Sequence, residues 1–253
     1  MSSVRLAHED REQATASVKI EGLDEILREK LRPRQNILLL GSPFTGKTTL
    51  AIQFLASGLK AGEAGILVTT TDTPDGMRTR AQTFGWDLRE HEESGQLKYI
   101  DCYSRVVGLP LEDDPAVLRA GIDEEDFEKI SLMISAIISD YWREGKRIRF
   151  VFDNLSTLFH YNDDISIARF LHSLLGRLKA VRATSILILE SGVHDEQVTT
   201  LVRSLCDGAL QLSGDGEERY IQGILGAGSL GRLPIEISNS GLRPANPPTN
   251  RTT

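Results

Sequence analysis

Residues 41–48 read GSPFTGKT, two glycines five positions apart followed by a lysine and a hydroxyl residue. This is the spacing GxxxxGK[ST], and it suits the capture of a polyphosphate. Gly41 and Gly46 let the backbone fold around phosphate oxygens with no side chain in the way. Ser42, Pro43, Phe44 and Thr45 form the turn between them. The loop N–H groups, together with the positive end of the helix that carries Thr49, stabilise the anionic oxygens. Lys47 reaches the β- and γ-phosphates, and the Thr48 hydroxyl is placed to ligate Mg²⁺. The plainer alternative is a glycine turn beside a surface lysine. A strand-like run before the loop and an amphipathic run after it favour the phosphate site. ATP and Mg²⁺ are therefore the expected ligands of Gly41–Thr49.

A magnesium ion held this way needs a second anchor, an acidic residue at the end of an apolar strand. Asp153 in RFVFDN fits that description. Its ordinary alternative is an Asp that opens the next turn or helix.

These residues need a scaffold, and the apolar pattern supplies one. Strands are predicted over Ile37–Leu40, Gly65–Thr70, Leu97–Asp101, Ile148–Asp153 and Ser185–Leu189. Helices are predicted over Lys47–Lys60, Glu125–Glu144 and Ile165–Val181. A further helix starts at Pro74, with Asp72 or Thr73 as its cap. Residues 104–124 read as a loop. Strand and helix alternating in this order imply a three-layer α/β fold with a mostly parallel central sheet. Ala209–Leu212 and Tyr220–Ile224 flank SGDGEE and read as a C-terminal β-hairpin. Residues 1–16 are read as a loose tail, 17–242 as one nucleotide-binding domain, and 243–253 (RPANPPTNRTT) as a disordered tail.

With the two motifs placed, the chain resembles the RecA-like P-loop ATPases, and within them the KaiC-like family of single-domain, archaeal type. The resemblance covers residues 18–241. It is carried by GLDEIL (22–27), the phosphate loop, AIQFLASGLKAGEAGILVTTTDTP (51–74), FGWDL (84–88), FVFDNLSTLF (150–159) and RLKAVRATSILILE (177–190). One departure is REKLRPRQ, where the family has a glycine-rich step. The resemblance implies a RecA-type core, ATP with Mg²⁺ and a homo-oligomer, often a hexamer.

The resemblance also assigns roles. The family ends its second strand in two adjacent glutamates, one of which activates the attacking water. Those positions hold Thr71 and Asp72 here. Asp72 is the candidate base, with a side chain about 1.5 Å shorter; helix capping is its other reading. Glu190 stands where the family carries a polar residue that senses the γ-phosphate, and it also reads as a solvated strand end. The Lys and Arg that reach a neighbouring subunit's phosphate fall on Gly223 and Leu225, which carry no charge. Arg219 or Arg232 could compensate from a shifted register.

Bulk composition narrows the function. The chain has 253 residues, 40% hydrophobic and 26% charged, with net charge -7. An acidic chain is a poor match for nucleic-acid phosphates. The segments 154–168 and 190–202, where RecA-like proteins contact DNA, contain no Lys or Arg. DNA is therefore not an expected partner. Cys102 and Cys206 read as reduced thiols, and the five His show no metal spacing. With no signal-like N-terminus and no membrane-length apolar run, the expectation is a cytoplasmic protein without membrane insertion. The favoured function is a nucleotide-dependent switch or assembly scaffold with weak or absent hydrolysis and an unidentified protein partner. An active ATPase or KaiC-type autokinase comes second, with Thr199 and Thr200 as weak acceptor candidates. A RecA-like DNA recombination accessory comes third.

Overall fold

The computed structural model describes residues 19–27, 31–110, 113–215, 218–225 and 228–245. In chain order the elements are α1 (Asp24–Leu27), β1 (Asn36–Gly41), α2 (Lys47–Lys60), β2 (Ala64–Thr69), α3 (Pro74–Gln82), α4 (Arg89–Glu93), β3 (Leu97–Asp101), β4 (Val117–Arg119), α5 (Glu124–Arg143), β5 (Ile148–Asp153), α6 (Leu155–Leu158), α7 (Asp164–Ala180), β6 (Thr184–Glu190), α8 (Glu196–Ser204), β7 (Gly208–Asp215), β8 (Glu218–Leu225), β9 (Gly228–Ser238) and β10 (Gly241–Pro244).

All ten strands join one sheet in the order β10-β9-β8-β7-β1-β6-β5-β2-β3-β4. From β7 to β4 every pairing is parallel, whereas β7 to β10 are antiparallel. The central strands are buried along their whole length, as their unbroken apolar runs require. Side-chain alternation divides them between two cores. Leu38, Leu40, Phe150 and Phe152 meet α5 and α7 through Phe127, Ile130, Phe170 and Leu174. Ile37, Leu39 and Val151 meet α2 and α3 through Leu50, Phe54, Leu55 and Met77. Helices on both faces make the expected three layers.

Two expectations need correction. The segment 104–124 is not all loop: Val117–Arg119 forms β4, parallel to β3 with Tyr99 opposite Val117. Three residues are too few to show a period. The C-terminal hairpin is also longer and has company. β9 and β10 extend it, and Arg243 and Pro244, read as tail, pair with Glu236 and Ile235. Pro244 is tolerated because β10 is an edge strand. Leu242 is fully buried, and its N–H donates to Gln53 Oε1 on α2. Residues 1–16 and 246–253 lie outside the described residues.

Candidate functional site

The carboxyl ends of β1, β6, β5 and β2 stand side by side and open onto one cleft of about 490 Å³. In an open parallel sheet this is where ligands bind. Hydrogen bonds hold the strand ends in register. Ser191 N donates to Gly41 O, and Asn154 N donates to Thr70 Oγ1. Asn154 Nδ2 donates to Glu190 Oε1, and Glu190 N donates to Ser156 Oγ.

The phosphate loop leaves β1 and enters α2. Gly41 is required by close approach, since a Cβ there would sit 2.7 Å from Thr45 Oγ1 and 2.8 Å from Leu212 O. Gly46 is required by its backbone, with φ of 101° at the N-cap. Thr45 is buried and donates to Ser42 O, which closes the turn. Ser42, Pro43 and Phe44 are exposed, Phe44 almost fully. The start of α2 is unlike those of its neighbours. It has no side-chain cap hydrogen bond and no acidic residue in its first turn. By contrast, Thr73, Asp163 and Asp195 cap α3, α7 and α8, and each of those first turns carries an acid. The positive end of α2 is thus left for an anion.

Lys47 is 5% exposed, and its Nζ donates to Ser42 O at 2.7 Å and to Glu190 Oε2 at 3.0 Å. Asp153 lines the same cleft and is 2% exposed. Burial pushes its carboxyl up to about 6, against the opposing pull of the Thr48 hydroxyl and of the Arg80 and Lys47 charges. Its Oδ2 has no hydrogen-bond partner among the described residues. A buried carboxylate oxygen in want of a partner, beside a threonine hydroxyl, fits a hard divalent cation that also takes phosphate oxygens. The residues present therefore fit Mg²⁺ at Thr48 and Asp153.

Asp72 also lines the cleft, with Thr71 and Glu190. Thr73, not Asp72, caps α3: Thr73 Oγ1 accepts from Gly76 N. Asp72 Oδ1 accepts from Thr73 N at 2.8 Å, and Oδ2 lies 3.8 Å from Arg80 Nη2.

The family model described as "ATPase: KaiC" matches residues 16–227. This chain belongs to the KaiC family. Among its relatives, a UPF0273 protein of Methanopyrus kandleri is 32% identical over 236 residues, which cover 90% of each chain. A UPF0273 protein of Pyrococcus horikoshii is 34% identical over 180 residues, 70% of this chain and 68% of the relative. A solved KaiC-like protein of Pyrococcus horikoshii superposes with TM-score 0.68 at 21% identity, covering 92% of this chain and 99% of that one. At that identity the likeness concerns the fold, a RecA-type P-loop domain. As a KaiC-like protein the chain is a nucleotide binder. No described helix is long and apolar enough to cross a membrane.

The KaiC-type cleft gathers Pro43, Phe44, Gly46, Lys47, Thr48, Thr49, Asp72, Asp153 and Glu190 from four separate stretches of sequence. Four lining residues escaped the sequence reading: Met77 and Arg80 on α3, Asn154 directly after β5, and Ile237 on β9. Ile237 had no signal, because β9 itself was not foreseen. Arg80 had one: Gly76 and Arg80 stand four residues apart in the helix that starts at Pro74, the spacing of one face. Gly223 and Leu225 offer no route for a cation. A Cβ on Gly223 would come within 2.2 Å of Ala209 O, and Leu225 is 1% exposed. Arg232 lies over the Tyr220 ring at 3.8 Å.

Proposed function

We propose that this KaiC-like protein binds ATP with Mg²⁺ and acts as a nucleotide-dependent switch or assembly scaffold, with slow hydrolysis. The observation that carries this reading is the state of Asp72. The phosphate side of the cleft is furnished with the loop, Lys47, Thr48 and Asp153. The attack side has only Asp72, and its carboxylate is engaged by Thr73 N and faces Arg80. A general base is worth about 10²–10⁴ in rate, and a shift of about 1 Å can cost 10²-fold. Gly223 and Leu225 add a second deficit, since a charge from a neighbouring subunit is typically worth about 10³–10⁵. Mg²⁺ at Thr48 and Asp153 would neutralise charge on the β- and γ-phosphate oxygens. Glu190 competes with a γ-phosphate for Lys47, which gives it a role in reading nucleotide state. The family resemblance supports a homo-oligomer, and a hexamer is the expected form.

ATP turnover of the purified chain, with its mass by light scattering, tests the reading. The expected rate is well below roughly 1 s⁻¹, the low end for working enzymes. Thr71→Glu combined with Asp72→Glu should raise it. A wild-type rate above that bound would replace the switch with an active ATPase. The autokinase reading has little support: Thr199 Oγ1 donates to Asp195 O inside its own helix.

A further inference from the structure

Arg80 lies two turns into α3, and its side chain lines the phosphate cleft with Lys47, Thr48, Asp153 and Glu190. The geometry that puts it there is specific. Thr73 caps α3 and Pro74 opens it, which fixes the direction of the helix at the end of β2. Gly76 and Arg80 then share one face, and Asp72, just ahead of the cap, comes against it. Gly76 is the key to that face. A glycine inside a helix costs about 0.5–1 kcal/mol relative to alanine, so its presence calls for a reason. A Cβ at Gly76 would come within 2.0 Å of Asp72 Oδ1. The missing side chain lets the Asp72 carboxylate lie along the helix face, where its Oδ2 comes within 3.8 Å of Arg80 Nη2. The Arg80 side chain is 47% exposed, so it is free of the core and able to change partner. Its charge also acts on Asp153, as that of Lys47 does.

We infer that Arg80 is a specificity-determining residue for the terminal phosphate of a bound nucleoside triphosphate, supplied in cis by α3. The inference rests on the nucleotide-switch reading and deepens it. A guanidinium suits this task, because it stays charged and pairs with phosphate oxygens through two parallel N–H bonds. A γ-phosphate between Lys47 and Arg80 would draw Arg80 away from Asp72. A diphosphate would leave the Asp72–Arg80 pair in place. Helix α3 would thereby register which nucleotide is bound, with no cation from a neighbouring subunit. Hydrolysis would stay slow even so, because Asp72, once released by Arg80, still accepts from Thr73 N and reaches about 1.5 Å less far than a glutamate.

Equilibrium binding to the full chain, with Mg²⁺, tests this. The probes are ADP and an ATP analogue with an imido β–γ bridge, compared for wild type, Arg80→Ala and Arg80→Lys. A charge-assisted hydrogen bond confined to the triphosphate should make Arg80→Ala about 10- to 100-fold weaker for the analogue. Its ADP affinity should change by less than about 2-fold, within ordinary scatter for a surface substitution. Arg80→Lys should recover part of the loss. Equal losses for both nucleotides, or no loss for either, would overturn the assignment of Arg80 alone. A wild-type chain that binds neither nucleotide would overturn the switch reading, and Arg80 with it. Far-ultraviolet circular dichroism confirms folding, and the lysine variant keeps the test decisive if the alanine variant proves unstable.

Discussion

Two residues decide how this cleft handles charge. Lys47 is nearly buried, paired with Glu190 and aimed across its own loop. Mg-ATP at about 1,000 times its Kd should stabilise the fold by about 4 kcal/mol. For a chain of this length that is roughly 8–16 °C in melting temperature. Lys47→Ala should remove most of that shift in a thermal melt, and an undiminished shift would exclude the loop as the binding site. Asp153 carries the opposite sign. Its carboxyl titrates near 3.8 in the unfolded chain and at about 6 when folded. The folded protein therefore binds this proton more tightly, and the stabilisation is complete below the unfolded value. It is lost as pH rises through about 6, at a cost on the order of 3 kcal/mol. In magnesium-free buffer at pH 7, Asp153→Asn should thus be more stable than wild type, and the gain should vanish near pH 4. The same variant should lose the magnesium dependence of nucleotide binding. Denaturant melts at the two pH values, with and without Mg²⁺, check both statements.

At the scale of elements, helix α2 is positioned by a buried cation. Arg149 on β5 is 2% exposed and paired with Glu63 at 2.5 Å. It donates to Phe54 O and to Lys19 O, and it stacks on the Phe54 ring at 4.7 Å. Gly58 faces it across α2, and a Cβ there would meet Arg149 Cδ and Nε. Helix propensity alone predicts that Gly58→Ala gains up to about 1 kcal/mol. Packing predicts the reverse, because Arg149 is held on several sides and cannot withdraw. We expect a net loss of about 1–3 kcal/mol, typical of overpacking, in chemical denaturation. A gain would show that Arg149 is softer than its contacts imply. Because α2 begins at the phosphate loop, the same variant should also weaken ATP binding.

For the whole molecule, net charge and loop composition bear on partners. The chain carries -7, and 154–168 and 190–202 hold no Lys or Arg. In the structure these segments follow β5 and β6, on the cleft side of the sheet. Cations in contact with phosphates supply most DNA affinity. Single- and double-stranded DNA should therefore bind weakly or undetectably at physiological salt in a fluorescence titration. Sub-micromolar binding with a steep salt slope would revive the recombination reading.

The sequence by itself determined the pieces whose signal is local. GSPFTGKT specified the phosphate loop because each of its constraints, a tight turn, a reaching amine and a hydroxyl, lies within one turn of the next. The runs NILLLG and IRFVFD specified central strands because burial on both faces leaves no room for polar residues. A cap at Asp72 or Thr73 and Pro74 starting α3 were likewise readable at short range, and the structure chose Thr73. What the tertiary structure alone decided were juxtapositions across the chain. Asp153 came to Thr48, and Glu190 came to Lys47, only when β1, β6 and β5 became neighbours. β4 and β9–β10 were missed because an edge strand is held by its partner's hydrogen bonds more than by its own apolar period. Arg80 shows the limit most clearly. Its spacing from Gly76 was visible, but which way α3 turns that face is set by its packing on Leu50, Phe54 and Leu55 through Met77 and Ala81, and the direction of a helix face is a property of the assembled core.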